Sequence, residues 1–241
     1  MIEKTLGIVL KQIKYGETSL IAQLYTRRWG RIGVIVPGAR TSSKSRKAHL
    51  FQPLTILDLD LYFKATRDLQ NIKEIKNHSP FVHLTGDPVK SSVALFLSDI
   101  LSKVLREEEP NEELFDFLES HIQFLDITAE GIANFHIYFL LRLSRYLGFN
   151  PGIPPAEDGL WFDLVHGTFS STVPLHDSFL RPELTHYLIR FLSVQASDLA
   201  MVSISRDLRI ELLEGILRYY YLHLEGLPEI KSHKILHALF D

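Results

Sequence analysis

Four cations, Arg40, Lys44, Arg46 and Lys47, stand within eight residues of this 241-residue chain, and Arg27, Arg28 and Arg31 surround the turn before them. Lys11 and Lys14 join the group if the first strand runs alongside. Each cation that neutralises a phosphate releases counterions, so a surface of this kind binds nucleic acid strongly at low salt and with little regard to sequence. Aromatic residues are interleaved with the charges, namely Tyr15, Tyr25, Trp29 and Phe51. An exposed ring stacks on the bases of a single strand, an interaction worth about 1–3 kcal/mol per base. The pattern predicts a nucleic-acid surface in which Lys14, Arg27, Arg28, Arg31, Arg40, Lys44, Arg46 and Lys47 hold phosphates and Tyr15 or Trp29 stacks. The blander alternative places Tyr25 and Phe51 in a core and leaves the lysines to solubilise the surface.

Other chemistries are weaker. Gly38 to Ser45 has the outline of a GxxxxGK[ST] phosphate loop, but Ser43 replaces the second glycine, and a side chain there obstructs the amides that close on phosphate. The following Arg46 to Phe51 is too short and polar for the helix such a loop opens. Among eleven histidines, His233 and His237 are spaced i, i+4 without an acidic third ligand, and His136 lies on an apolar face and reads as core. His166, Glu157, Asp158, His176 and Asp177 fall in an irregular stretch that fixes no geometry. There is no cysteine, which excludes disulfides, thiol catalysis and cysteine-held zinc, so neither metal nor cofactor is expected. No nucleophile elbow, HExxH or paired-acid signature is present, and Glu107 to Glu109 and Glu112-Glu113 read as solvated helix ends, so no enzyme is expected.

The elements that position these residues follow from periodicity. Up to residue 77 apolar and polar residues alternate as in strands: Leu6, Ile8 and Leu10 on one face, then Leu20, Ala22 and Leu24, then Ile32, Val34 and Val36, then Leu57, Leu59 and Leu61 with Asp58 and Asp60 opposite, then Leu69 to Ile75. Five short strands with a longer polar connection after the third match the OB-fold, with an SH3-like barrel or short sandwich as alternatives. After Pro80 the period becomes helical. Asp87 and Pro88 open a helix to about Glu109-Pro110, Asn111 caps one to about Leu125, and Thr128 opens a third, apolar on most sides, to Gly148. Residues 150–179 lose the period, with a hairpin from Leu160 to Phe169, and helices resume at Pro182 to Val194 and Ser205 to Glu225. The expectation is an α+β protein with an OB-fold β-barrel at 1–79 and a mainly helical domain at 80–241 that carries the insertion at about 150–179.

Charge divides at the same place. Residues 1–80 hold fourteen Lys/Arg against six Asp/Glu, a net +8, and the remainder twelve against twenty-three, a net −11. A basic module that meets a polyanion is thus joined to an acidic one. No run approaches the length of a transmembrane helix and no signal region opens the chain, so a soluble cytoplasmic protein is expected, with no membrane partner. Within the acidic module, a helical wheel sets Arg206 and Arg209 on the side of Leu213, Ile216, Leu217 and Tyr220. Arginines there need carboxylate or phosphate partners. An internal ion pair and a pocket for a partner's acidic peptide or C-terminal carboxylate are the two readings.

The chain resembles the bacterial RecO family of recombination mediators. The resemblance rests on Tyr15-Gly16-Glu17-Thr18-Ser19 followed by Leu24-Tyr25-Thr26 and Gly30, on Pro37-Gly38-Ala39-Arg40 with Lys44-Ser45-Arg46, and on Leu50-Phe51-Gln52-Pro53-Leu54. Gly148-Phe149-Asn150-Pro151, the Phe162-Asp163 hairpin with Gly167 and Phe169, and Tyr219-Tyr220 through His223-Leu224 to Lys231-Ser232 extend it over nearly the whole chain. It implies an OB-fold followed by a helical domain, binding of single- and double-stranded DNA, ATP-independent strand annealing, partnership with RecR, and contact with the acidic C-terminal tail of single-stranded-DNA-binding protein during loading of RecA. The protein is expected to be nucleoid-associated and a monomer when free. Many relatives hold zinc through two CxxC pairs in the insertion; here Pro154 to Glu157 and Val173 to His176 have no cysteine, and packing by Trp161, Phe162 and Phe169 is expected instead. The alternative function is a protein-only scaffold whose basic barrel binds an acidic protein surface, and a nucleotide-dependent enzyme at Lys44 is the remaining class.

Overall fold

The computed structural model describes residues 2–39, 47–234 and 236. The two-residue alternation builds β1 (Glu3–Tyr15), β2 (Ser19–Thr26), β3 (Gly30–Val36), β4 (Ile56–Tyr62) and β5 (Leu69–Asn77). They close into a barrel in the order β1-β2-β3-β5-β4, antiparallel except where Gly33, Val34 and Ile35 of β3 face Leu69, Gln70 and Asn71 of β5. This circuit selects the OB-fold over the other two arrangements, and the class is α+β. Leu20, Ala22 and Leu24, then Ile32, Val34 and Val36, then Leu57, Leu59 and Leu61 fill the interior as their alternation predicts.

β1 is different. Leu6, Ile8 and Leu10 share a face, but it is the outer one. Val9 is the β1 residue in the barrel core, and a Cβ on Gly7 would lie 2.7 Å from the Leu59 side chain, so Gly7 also points inward. Ile8 and Leu10 are nonetheless fully buried because the first helix lies on this strand, where the Ser98 hydroxyl donates to the Leu10 carbonyl. A strand covered on both faces reads as an apolar run, and the pattern alone does not say on which side the core lies.

That helix, α1 (Pro88–Val104), is capped by Asp87, whose carboxylate accepts the amides of Val89 and Lys90 at 2.8 and 3.1 Å. It stops short of the expected Glu109-Pro110, since Arg106 to Glu109 offer no apolar residue to keep a turn on the core. In α2 (Glu112–Ile127) the Asn111 side chain accepts the Leu114 amide at 2.9 Å, as the cap signal predicts. Near its end, Asp126 accepts the amides of Val82, His83 and Leu84 at 2.9, 2.9 and 2.6 Å, while the buried Lys90 ammonium donates to the Asp126 carbonyl at 2.6 Å. This cluster fastens the segment between barrel and helix to α2. Burial pushes the Asp126 carboxyl up, but the three amides and the Lys90 charge hold it below the usual carboxylate value.

By contact the chain divides into two units, Met1–Ile127 with Ile230–His233, and Thr128–Glu229 with Lys234–Asp241. The change of period at residue 80 marks the end of the barrel; α1 and α2 remain in the first unit. Their acids matter, because this unit holds eighteen Lys/Arg against sixteen Asp/Glu, a net +2 where the barrel alone is +8.

In the second unit α3 (Ile132–Tyr146) starts four residues later than expected. The Thr128 hydroxyl donates to the Glu130 carbonyl at 2.9 Å, and Gly131, at φ 70°, takes the cap position. A three-stranded sheet of β6 (Trp161–Asp163), β7 (Thr168–Ser170) and β8 (Phe179–Leu180) follows, then α4 (Pro182–Ser193) and α5 (Arg206–His223). Phe162 packs on Phe169 and Trp161 on Phe179, each pair at 4.9 Å between ring centres, so aromatic packing holds the insertion.

Candidate nucleic-acid interface

The cations that the sequence groups together are separated by the barrel. Beyond a bulge between Val9 and Lys11, β1 continues as Lys11–Tyr15, all five residues exposed. Lys14 lies opposite Leu20 and Tyr15 opposite Ser19, at the start of β2. Arg27 to Arg31 occupy the other end of β2, about 23 Å away at 3.3 Å per residue. β3 returns to the first end, since Val36 pairs with Leu20, and the chain leaves the barrel there through Pro37-Gly38, with Gly38 at φ 67°. Arg40, Lys44 and Arg46 follow from that point and lie outside the described residues; Lys47, on the return, is exposed.

At the far end the cations are committed to protein groups. The Arg27 guanidinium pairs with Asp116 and, at 3.4 Å, with Glu119 of α2, and lies 5.0 Å from the Phe115 ring centre. The Arg31 amide donates to the Glu107 carbonyl at 3.0 Å and its guanidinium to the Leu105 carbonyl at 3.2 Å. Arg28 pairs with Glu3. Trp29 stacks on Phe63, the rings 4.1 Å apart and inclined by 7°, so its face is covered within the barrel. Tyr25 and Phe51 are core, as the blander reading has it, and burial together with the nearby Glu107 pushes the Tyr25 phenol up to about 12. Of the two proposed stacking residues, Tyr15 is open, at 51% exposure.

Register places a further set of residues beside Tyr15 that the sequence reading does not single out. Residues opposite one another in a sheet share a face. Ile13 pairs with Ile21, Ile21 with Ile35, and Ile35 with Asn71; Lys11 pairs with Gln23, and Gln23 with Gly33. The outer face of β1, β2 and β3 is therefore an apolar row edged by Lys11 and Tyr15, with Ile13 51% exposed. The signal was present in the sequence as apolar residues on the polar phase of each strand, but alternation assigns only one face to a core. The β4–β5 loop adds exposed Lys64 and Arg67. Gln70 fixes that loop, accepting the Lys64 amide at 2.9 Å and donating to the Lys64 and Arg67 carbonyls at 3.0 and 2.7 Å.

In the second unit Arg206 is exposed at the start of α5, and Arg209 is half-buried, donating to the Ile204 carbonyl at 3.2 Å; burial lowers the Arg209 value. Histidine 136 is buried in α3, and His237 lies outside the described residues. The insertion brings His166 and His176 together around Asp163, while Glu157 and Asp158 are not part of that cluster. Cysteine-held zinc has no ligands in this chain. No described helix is long and apolar enough to cross a membrane.

Comparison with known proteins agrees with this architecture. Residues 1–81 match the family model for the recombination protein O N terminal, and residues 85–153 that for the recombination protein O C terminal. The chain is 38% identical over 242 residues to DNA repair protein RecO of Bacteroides fragilis, covering 100% of both chains. It is similarly 38% identical over 241 residues to the Phocaeicola vulgatus protein of that name, and 36% identical over 240 residues to that of Flavobacterium psychrophilum. With both family models matched in order and full-length relatives at this identity, the chain belongs to the RecO family of DNA repair and recombination proteins.

Proposed function

We propose that the protein is a non-enzymatic recombination mediator that binds single- and double-stranded DNA through its barrel and anneals complementary strands. The observation that carries this reading is the open outer face of β1–β3, where Lys11 and Tyr15 flank exposed Ile13, with Lys14, also exposed, next to them on the opposite phase of the strand. OB-folds bind oligonucleotides on the β2–β3 face with the β1–β2 and β4–β5 loops, and Lys64 and Arg67 sit in the latter. The path runs from Lys47 and Tyr15 across the isoleucines to Lys64 and Arg67, and Arg40, Lys44 and Arg46 of the same polar connection are proposed to add their charges. Annealing needs only that two strands be screened and held close, which a cationic surface does without ATP.

Tyr15 and Trp29 separate the two aromatic roles. Tyr15→Ala should weaken single-strand binding by about 1–3 kcal/mol with the urea midpoint unchanged. Trp29→Ala should lower the urea midpoint, because it removes the partner of Phe63. A Tyr15→Ala protein that binds as wild type would remove stacking from the account.

The partners follow the family. RecR and the acidic C-terminal tail of single-stranded-DNA-binding protein are the proposed protein contacts, in the cytoplasm at the nucleoid, with RecA loading as the outcome. Arg206 and Arg209 are the proposed seat of the acidic tail. Arg206→Glu with Arg209→Glu should weaken an acidic C-terminal peptide about tenfold or more, as loss of a charge-assisted contact does, and leave DNA affinity nearly unchanged. Retained peptide affinity, measured by fluorescence anisotropy, would assign both arginines to structure. A protein-only scaffold is the second reading, favoured by the way Asp116 and Glu119 already occupy Arg27. Arg40→Glu with Lys44→Glu that spared DNA binding but abolished a protein contact would select it.

A further inference from the structure

Three side chains spread over residues 163 to 176 converge at one end of the β6–β7 hairpin. Asp163 closes β6, and its Oδ1 accepts the amides of Val165 and His166 at 2.7 and 3.1 Å, a turn that fixes the carboxylate. Its Oδ2 then faces Nδ1 of His166 at 2.8 Å and Nε2 of His176 at 3.2 Å. His176 arrives from the connection into β8, whose Phe179 pairs with Asp163 itself. One ligand atom from each of the three residues lies within 4.8 Å of both others. The Asp163 side chain is 13% exposed and that of His166 68%, so the cluster has a protein side and an open side.

We infer that Asp163, His166 and His176 form a site for one divalent transition-metal ion, and that zinc is the ion its donors fit. Two imidazoles and one carboxylate are zinc ligands, whereas calcium takes six or more oxygens. Ligands at the zinc distance of about 2.0–2.1 Å in a tetrahedron stand about 3.3 Å from one another. Both carboxylate-to-imidazole separations, 2.8 and 3.2 Å, are already near that value. The fourth position faces the open side and takes water. The ion ties the hairpin to the chain entering β8, and its donor set is distinct from any cysteine site. Binding has one local cost. The Ser178 amide donates to Nδ1 of His176 at 3.2 Å, and a neutral ring that binds metal through Nε2 carries its proton on Nδ1, so this bond opens.

The test uses the untagged full chain, stripped with a chelator. Titration with zinc chloride should give one ion per chain by calorimetry, cobalt(II) should give visible bands of tetrahedral intensity, and the Ser178 amide resonance should shift. His166→Gln and His176→Gln each remove a ligand, a loss at least as large as the about 10–100-fold that outer-shell changes cause. His233→Gln should leave the affinity unchanged. If the glutamine variants fold poorly, Asp163→Asn decides, because it keeps an oxygen for the turn amides while removing the anionic ligand, and it should bind zinc at least tenfold more weakly than wild type. No binding at millimolar zinc, or wild-type affinity in these variants, overturns the site.

Discussion

Affinity for labelled single-stranded DNA should fall on the order of 10³-fold between about 50 and 200 mM salt, with a log–log slope of about −5.6. The slope follows from which cations are available. Lys11, Lys14, Lys47, Lys64 and Arg67 are exposed, and Arg28 is left out because it pairs with Glu3. Arg40, Lys44 and Arg46 bring the set to eight, and a single strand contributes about −0.7 per neutralised phosphate. Arg27 and Arg31 are left out because α2 and the α1–α2 connection already hold them. A slope steeper than about −7 would mean that these ion pairs open for DNA, and an affinity independent of salt would end the phosphate account altogether.

Asp126→Ala should destabilise the first unit by about 3–5 kcal/mol, because removing one member of a buried charged cluster strands the other. The carboxylate is the acceptor for three amides and the counter-charge to Lys90, whose ammonium is buried. Asp126→Asn should cost less, since its oxygen still accepts from the backbone, and the difference reports the charge. The pH dependence has a definite sign. Asp126 is held below its ordinary 3.8 in the folded chain, so its contribution is complete above that value and disappears as pH falls through the lowered one. Urea midpoints for the wild type and Asp126→Asn should draw together as pH falls from 7 through the lowered value. A loss under about 1 kcal/mol for the alanine variant would mean that water satisfies the freed amides.

The strand phases of β2, β3 and β4 are legible because one face of each is core, so alternation has a single meaning. β1 shows the limit: Leu6, Ile8 and Leu10 are correctly placed on one face, yet that face meets α1, and Val9 and Gly7 fill the barrel. Local capping signals are equally readable at Asp87 and Asn111 because the cap bond spans three residues. Thr128 fails as a helix start because its hydroxyl satisfies the Glu130 carbonyl and Gly131 alone accepts the left-handed turn. In the site, the abundance of cations is a sequence property. Their partners are not: Arg27 meets Asp116 only because α2 folds back on the barrel, 89 residues away in the chain.

By itself the sequence determined the element types and the family, and it offered the cations and aromatic residues proposed to meet DNA, since each depends on local period, composition or a contiguous motif. The tertiary structure alone decided which of those residues are open. It separated Lys14 and Tyr15 from Arg27 and Arg31 by the length of β2, covered Trp29 with Phe63, and aligned Ile13, Ile21 and Ile35 in one row. It also gathered Asp163, His166 and His176. These are pairings between separate strands and turns, set by register and turn geometry, which composition and local period do not contain.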